Sequence, residues 1–98
     1  MSWSVIIRPK AEADIEKAGL WYESQRQGLG DQLLDEIRGA VRYLEEHPER
    51  RPFYYRGFRR LLTPRFHYKL FYRIENNRVI VFRVLHAKQD HRQPLEEI

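Results

Sequence analysis

The chain has 98 residues, 42% of them hydrophobic and 33% charged, with a net charge of +4. This length supports one hydrophobic core, so we expect a single domain over residues 1–98. No apolar run approaches the roughly 20 residues that a membrane span needs, and the N-terminus lacks the pattern of a secretory signal. The absence of cysteine excludes disulfides and thiolate metal sites. We therefore expect a cytoplasmic protein.

The first half of the chain predicts a short strand followed by two helices. Residues 3–8 are β-prone, and Pro9 ends this run at a position that suits the first turn of a helix. Apolar residues at helical spacing predict a helix over about residues 10–26 and another from Asp31 to His47, which precedes a proline. Because the Gly28–Gly30 connection is short, the two helices are expected to form an antiparallel hairpin.

The second half predicts an antiparallel sheet. Strands are expected over residues 58–62, 67–75 and 78–87, the last two joined by a tight turn at Asn76 and Asn77. The predicted order is β-α-α-β-β-β, an α+β fold with the helical hairpin on one face of the sheet. Residues 91–98 are polar and are predicted to form a loose tail. Arg83 falls among apolar positions without an evident partner.

The two faces of the last hairpin follow from its register. If Ile74 pairs with Val79, one face should lie against the helices, and it carries Tyr68, Leu70, Tyr72, Val79, Val81 and Leu85. The other face is apolar in its middle and cationic around it, and it carries His67, Lys69, Phe71, Arg73, Ile80, Phe82, Val84 and His86. This second face is expected to be covered by a partner.

Positive charge is concentrated in the second half. Residues 1–49 hold six Lys/Arg and ten Asp/Glu, whereas residues 50–98 hold twelve Lys/Arg and four Asp/Glu. Arginine is well suited to phosphates and carboxylates, and aromatic residues lie between the cations. We therefore predict a site for an acidic or polyanionic partner, formed by Arg59, Arg60, Arg65, Lys69, Arg73 and Lys88.

The chain contains no established catalytic or phosphate-loop motif. His67, His86 and His91 are too loosely placed to predict a zinc site, so no metal and no cofactor are expected. His86 remains a candidate general acid or base, because it ends an apolar strand beside a cationic face and titrates near neutrality.

Several segments in order resemble the RelE/ParE-type toxins of bacterial type II toxin–antitoxin systems. In the helical half these are Ala11-Glu12-Ala13-Asp14-Ile15, Trp21-Tyr22-Glu23, Gly28-Leu29-Gly30-Asp31 and His47-Pro48. In the sheet half they are Tyr55-Arg56-Gly57-Phe58-Arg59-Arg60, residues 65–73 and residues 79–86. The resemblance covers about residues 5–90, and the helical hairpin and Val84-Leu85-His86 favour the ParE branch.

The resemblance implies a toxin that a small acidic antitoxin neutralises in a hetero-oligomer. The antitoxin would cover the second face of the hairpin, which is expected to present Phe71, Arg73, Ile80, Phe82, Val84 and His86. ParE-like members inhibit DNA gyrase without being enzymes, and this target is favoured. RelE-like members cut mRNA on the ribosome, and for that alternative the candidate catalytic residues are Lys69, Arg60 and His86.

One departure bears on both mechanisms. Gln89 stands where an arginine is common in the family, and it cannot supply a permanent charge to a phosphate. A further alternative is therefore a non-toxic basic module that binds RNA or protein.

Overall fold

A computed structural model describes residues 2–98 of the chain. Its elements are β1 (Ser4–Ile7), α1 (Pro9–Gln25), α2 (Leu29–Glu46), a 3₁₀ turn (Pro48–Arg50), β2 (Phe53–Tyr55), β3 (Phe58–Leu62), β4 (Tyr68–Glu75), β5 (Arg78–His86) and α3 (Arg92–Glu96). The predicted α+β class and order of elements are confirmed. The short β2 and the terminal α3 are additions that the sequence pattern did not predict. No helix within residues 2–98 combines the length and apolarity that crossing a bilayer requires.

The helical hairpin is held by close contact between its two backbones. Gly28 connects the helices at a φ of 86°, a left-handed conformation that glycine adopts without strain. A Cβ atom on Gly30 would lie 2.6 Å from the carbonyl oxygen of Gly19, so a larger residue would push the helices apart. The carboxylate of Glu23 accepts hydrogen bonds from the N–H groups of Gly28 and Gly30, at 2.9 and 3.0 Å. These contacts satisfy free donors at the start of α2.

The five strands form one sheet in the order β1-β5-β4-β3-β2. The β4–β5 hairpin turns at Asn76 and Asn77, whose φ angles of 51° and 62° confirm the predicted tight turn, and Ile74 pairs with Val79. Most neighbouring strands are antiparallel, but β1 runs parallel to β5. The predicted antiparallel sheet is confirmed for β2 to β5. The sequence pattern assigned no partner to β1, which can pair in parallel because the helical hairpin and the remaining strands provide the long crossover that parallel pairing needs.

A bulge in β5 changes which side chains face the helices. Phe71 pairs with Arg83 and Tyr72 pairs with Val81, so Phe82 is an extra residue on β5. Beyond the bulge the alternation shifts by one position. Val84 consequently joins the core beneath the helices, and Leu85 joins the opposite face. The predicted faces of Val84, Leu85 and His86 were therefore wrong.

Both faces of the sheet bury apolar side chains. The larger core lies between the sheet and the helical hairpin, with Leu33, Ile37, Leu44, Leu70, Tyr72 and Val81 among its members. A smaller core lies on the other face and consists of Phe58, Phe71, Ile80, Phe82, Leu85 and Leu95. Leu95 is only 3% exposed, and Glu96 accepts a hydrogen bond of 2.8 Å from the Tyr55 hydroxyl. Residues 92–96 are therefore a packed helix, which corrects the prediction of a loose tail.

Arg83, which had no evident partner in the sequence, forms an ion pair with Asp14 of α1. Its Nε and one terminal nitrogen donate to the two carboxylate oxygens at 2.7 and 2.8 Å. The same carboxylate accepts a hydrogen bond of 2.9 Å from the Val84 N–H. Val84 lies beyond Val81, the last residue of β5 that pairs with β1. Asp14 therefore neutralises the largely buried Arg83 and satisfies a backbone N–H of β5 that no strand of the described chain pairs with.

Candidate polyanion-binding surface

Two cations from neighbouring strands stand together on the sheet face opposite the helical hairpin, called here the open face. Arg60 of β3 pairs with Phe71, and Lys69 of β4 pairs with Leu62 and with Leu85. Phe71 and Leu85 belong to the smaller core on this face, so the side chains of Arg60 and Lys69 project on the same side. The guanidinium carbon of Arg60 lies 3.9 Å from the centre of the Tyr54 ring, which gives this cation an aromatic support.

His91, just before α3, completes this group. It is only 8% exposed, its ring centre lies 4.8 Å from that of Phe71, and its Nε2 atom lies 3.2 Å from the carbonyl oxygen of His86. Burial lowers the pKa of His91, the hydrogen bond to His86 opposes this, and the charges of Lys69 and Arg60 lower the pKa further. Burial and the charge of Arg60 likewise lower the pKa of Lys69. We call Arg60, Lys69 and His91 the basic cluster.

No carboxylate within residues 2–98 forms an ion pair with the basic cluster, although the charge of Asp90 raises the pKa of His91. Across residues 2–98 the ion pairs are Arg38–Asp35 on the surface of α2 and Arg83–Asp14 on the helix side of the sheet. Like charges held together without a counter-ion oppose one another, and a bound anion would relieve that repulsion. The open face is therefore suited to a phosphate or carboxylate partner.

The other predicted cations lie in several places. Arg73 shares the open face, where it lies 4.0 Å from the Phe58 ring centre and donates to the Arg56 carbonyl oxygen. Arg59 pairs with Tyr72, a residue of the larger core, and binds the carbonyl oxygens of Glu49 and Arg51, so it holds the chain before β2 in place.

Arg65 and Lys88 lie outside the strands. Arg65 donates to Gln32 of α2, and Lys88 follows β5, where its backbone N–H donates to Nδ1 of His86. From the predicted set of six, the structure places Arg60, Lys69 and Arg73 on the open face, and of these it brings Arg60 and Lys69 together.

The three residues predicted as a catalytic set do not meet on one face. His86 pairs with Tyr68, and the two ring centres are 5.2 Å apart on the helix side of the sheet. Lys69, the next residue of β4, projects to the open face. Burial, followed by the charges of Lys88 and His67, lowers the pKa of His86. The sequence pattern missed His91 as the histidine beside Lys69, although its spacing of four residues from Leu95 is a weak sign of a shared helical face.

Nothing in the described chain resembles a metal site. Among residues 2–98, no group of three His, Cys, Asp or Glu side chains is placed to hold a metal ion. The histidines are divided between the two faces, since His91 packs on Phe71 and His86 packs on Tyr68.

Comparisons with known proteins agree with this architecture. Residues 5–91 match the family model described as the ParE toxin of the type II toxin–antitoxin system, parDE. The chain belongs to the ParE toxin family. No curated protein sequence matches this ParE-family chain.

Solved structures of toxins share the fold of this ParE-family chain. The chromosomal ParDE system from P. aeruginosa superposes with a TM-score of 0.75 at 19% identity, covering 89% of this chain and 98% of the other. The toxin–antitoxin complex RelBE2 from Mycobacterium tuberculosis gives 0.62 at 22% identity, covering 89% and 100%. A mutant of E. coli toxin RelE in the free state gives 0.67 at 16% identity, covering 99% and 94%. These structures show that the chain has the fold of ParE and RelE toxins, and the family model over residues 5–91 makes it a type II toxin.

Proposed function

We propose that this ParE-family toxin inhibits growth by binding DNA gyrase in the bacterial cytoplasm, and that the open face is its contact with a polyanionic or acidic surface. One observation carries the proposal: Arg60 and Lys69 stand side by side with His91 and with no carboxylate in ion-pair range within residues 2–98. The membership in the ParE family favours gyrase over the ribosome as the target. The separation of His86 from Lys69 also supports an inhibitor rather than a nuclease.

The same face fits an acidic antitoxin, and the ParDE and RelBE2 structures are by name toxin–antitoxin systems. Among the residues predicted for antitoxin contact, Phe71, Arg73, Ile80 and Phe82 lie on the open face. Phe71, Ile80 and Phe82 are already buried, in a core that includes Leu95 of α3. We propose that an acidic segment of the antitoxin contacts the cations beside α3, forming a hetero-oligomer in which the basic cluster is neutralised.

The test uses purified protein with supercoiled plasmid, in the presence and absence of gyrase. Linear DNA after detergent and protease treatment, or loss of supercoiling that requires gyrase, is the expected result. The variant Arg60→Gln/Lys69→Gln should lose the effect. The control variant Arg38→Gln/Arg42→Gln removes the same charge from exposed positions of α2 and should keep it. Full activity of the first variant would contradict a role for the basic cluster.

A second candidate function, cleavage of ribosome-bound mRNA, is favoured by the position of His91. Because the pKa of His91 is lowered by burial and by Lys69 and Arg60, its neutral form persists near neutral pH and can accept a proton. Under this alternative, gyrase would be unaffected and translated mRNA would be cut. The variant His91→Gln would then lose cleavage, whereas the substitution of His86 would have a smaller effect. Inactivity in both assays would favour the non-toxic binding module.

A further inference from the structure

A second cationic region lies on the other side of the sheet from the basic cluster. Two adjoining hollows of about 510 and 540 Å³ open between the C-terminal half of α1 and the ends of β4 and β5. They share Tyr22 and His86 in their walls, so we treat them as one groove and call it the aromatic groove. Hollows of this size hold small organic groups in other proteins.

Six rings line the aromatic groove, and four of them are in mutual edge-to-face contact. Trp21 and Tyr22 meet edge to face at 4.9 Å and 87°, and Tyr68 and His86 meet at 5.2 Å and 87°. Tyr22 and Tyr68 connect the two pairs at 6.3 Å. Burial, with a contribution from Tyr22, raises the pKa of Tyr68 to about 12, so its hydroxyl keeps its proton. Trp21 is nevertheless 56% exposed, an unusual position for so large an apolar side chain.

The charges along the aromatic groove favour an anionic occupant. Lys17 lines the first hollow, and Arg26 and Arg65 line the second. The one carboxylate among the lining residues belongs to Asp14, and Arg83 neutralises it. The groove therefore has aromatic surfaces in its middle and uncompensated cations at both ends.

We propose that the aromatic groove binds a segment of single-stranded nucleic acid, with a base against Trp21 and the adjoining phosphates near Arg26 and Arg65. Unpaired bases stack on aromatic side chains whatever their sequence, and cations beside the rings follow the phosphate backbone. An acidic peptide would satisfy the arginines but would offer no planar group to the rings. This site is separate from the open face and does not depend on the target proposed above.

The test measures the binding of a fluorescently labelled oligothymidylate of about 10 nucleotides by anisotropy. Trp21→Ala should weaken binding about tenfold, which is the effect expected from losing one stacked base. Leu20→Ala is the matched control, because Leu20 is the neighbouring residue of α1, is 66% exposed and lines a different hollow between the helices. It should bind as the native protein does. Arg26→Gln should lower the slope of log affinity against log salt by about 0.7, the contribution of one phosphate contact to a single strand.

A fluorescence experiment separates this groove from the open face. The chain has two tryptophans, so Trp3→Phe leaves Trp21 as the single reporter. Oligothymidylate should quench Trp21 in this background, and quenching at saturation should persist when Arg60 and Lys69 are also replaced by glutamine. Equal binding by the Trp21→Ala and Leu20→Ala variants would overturn the proposal. Stronger quenching by a polyglutamate peptide than by the oligonucleotide would also overturn it, in favour of an acidic protein partner.

Discussion

In the part of the chain that the structure describes, positive charge is paired with a carboxylate on the helix side of the sheet but not on the open face. On the helix side, Arg83 is largely buried and is matched by Asp14, which binds both its guanidinium and the Val84 N–H. On the open face, Arg60 lies over an aromatic ring, and Arg73 lies over another ring and donates to a backbone carbonyl. Within residues 2–98, no carboxylate forms an ion pair with Arg60, Lys69 or Arg73. The paired charge supports the fold, whereas the unpaired charges add repulsion to it. We infer that the second group is retained for a partner.

Among the substitutions that follow, that of Asp14 should change stability most. Asp14→Asn should lower the free energy of unfolding by about 3 kcal/mol, because Arg83 would remain buried without its counter-charge. Urea denaturation measures the change. Asp35→Asn removes one partner of an exposed ion pair on α2 and should change stability by less than about 1 kcal/mol. Equal effects of the two variants would refute the distinction between paired burial and surface pairing.

The next largest effect is expected in α3, which packs on the open face through Leu95. Leu95→Ala should cost about 2 kcal/mol, since it leaves a cavity in the smaller core beside Phe71 and Phe82. Ile98→Ala is the control because Ile98 is exposed. A loose tail would make both substitutions neutral, and that result in denaturation curves would contradict the packing of α3.

A smaller effect is expected from pH. Burial and the nearby charges of Lys69 and Arg60 lower the pKa of His91 below its ordinary value of 6.5, against an opposing influence of Asp90. The unfolded chain therefore binds a proton more readily, so this contribution to stability is present above pH 6.5 and is lost as the pH falls through the lower folded pKa. His91→Gln should make the loss of stability on acidification less steep. The pKa of His86 is also lowered, so the variant should keep part of the dependence of stability on pH. A variant with the native slope would show that His91 is not involved.

The smallest change in stability is expected from Lys69→Gln, although this substitution should weaken binding to a polyanion. Lys69→Gln removes a charge that is opposed by Arg60, so the free energy of unfolding should stay within about 0.5 kcal/mol of the native value or rise slightly. The same variant should weaken binding to a polyanion. If Lys69→Gln destabilised the protein as much as Asp14→Asn, then Lys69 would have a structural partner on the open face. That result would contradict the contrast between paired and unpaired charge on the two faces.

Local signals were sufficient for most of the fold. Pro9, Gly28 and the Asn76–Asn77 turn mark boundaries that the structure places within a residue or two of the predicted positions. The apolar spacing also identified α1 and α2 as helices. These features depend on neighbours in the chain, so they can be recognised from the sequence.

The missed features depend on distant contacts. The bulge at Phe82 accompanies the contact of Arg83 with Asp14, which lies 69 residues away, and it reversed the faces of Val84 and Leu85. The parallel pairing of β1 likewise has no local signature. Leu95 stands as an isolated apolar residue in a polar segment, so no periodicity showed that it is buried. Because His91 precedes this segment, its place beside Lys69 and Arg60 was missed for the same reason.

The pairing of β1 with β5 has a consequence for how the toxin comes into being. During translation a chain emerges and folds from its N-terminus, but the internal strand β5 follows every other strand, and Asp14 and Val84 are 70 residues apart. A nascent chain can form the helical hairpin early, yet it must wait for β5 before the sheet closes and α3 has a surface to pack on. The sheet and the basic cluster can therefore be completed only after β5 and the segment that holds His91 have been synthesised.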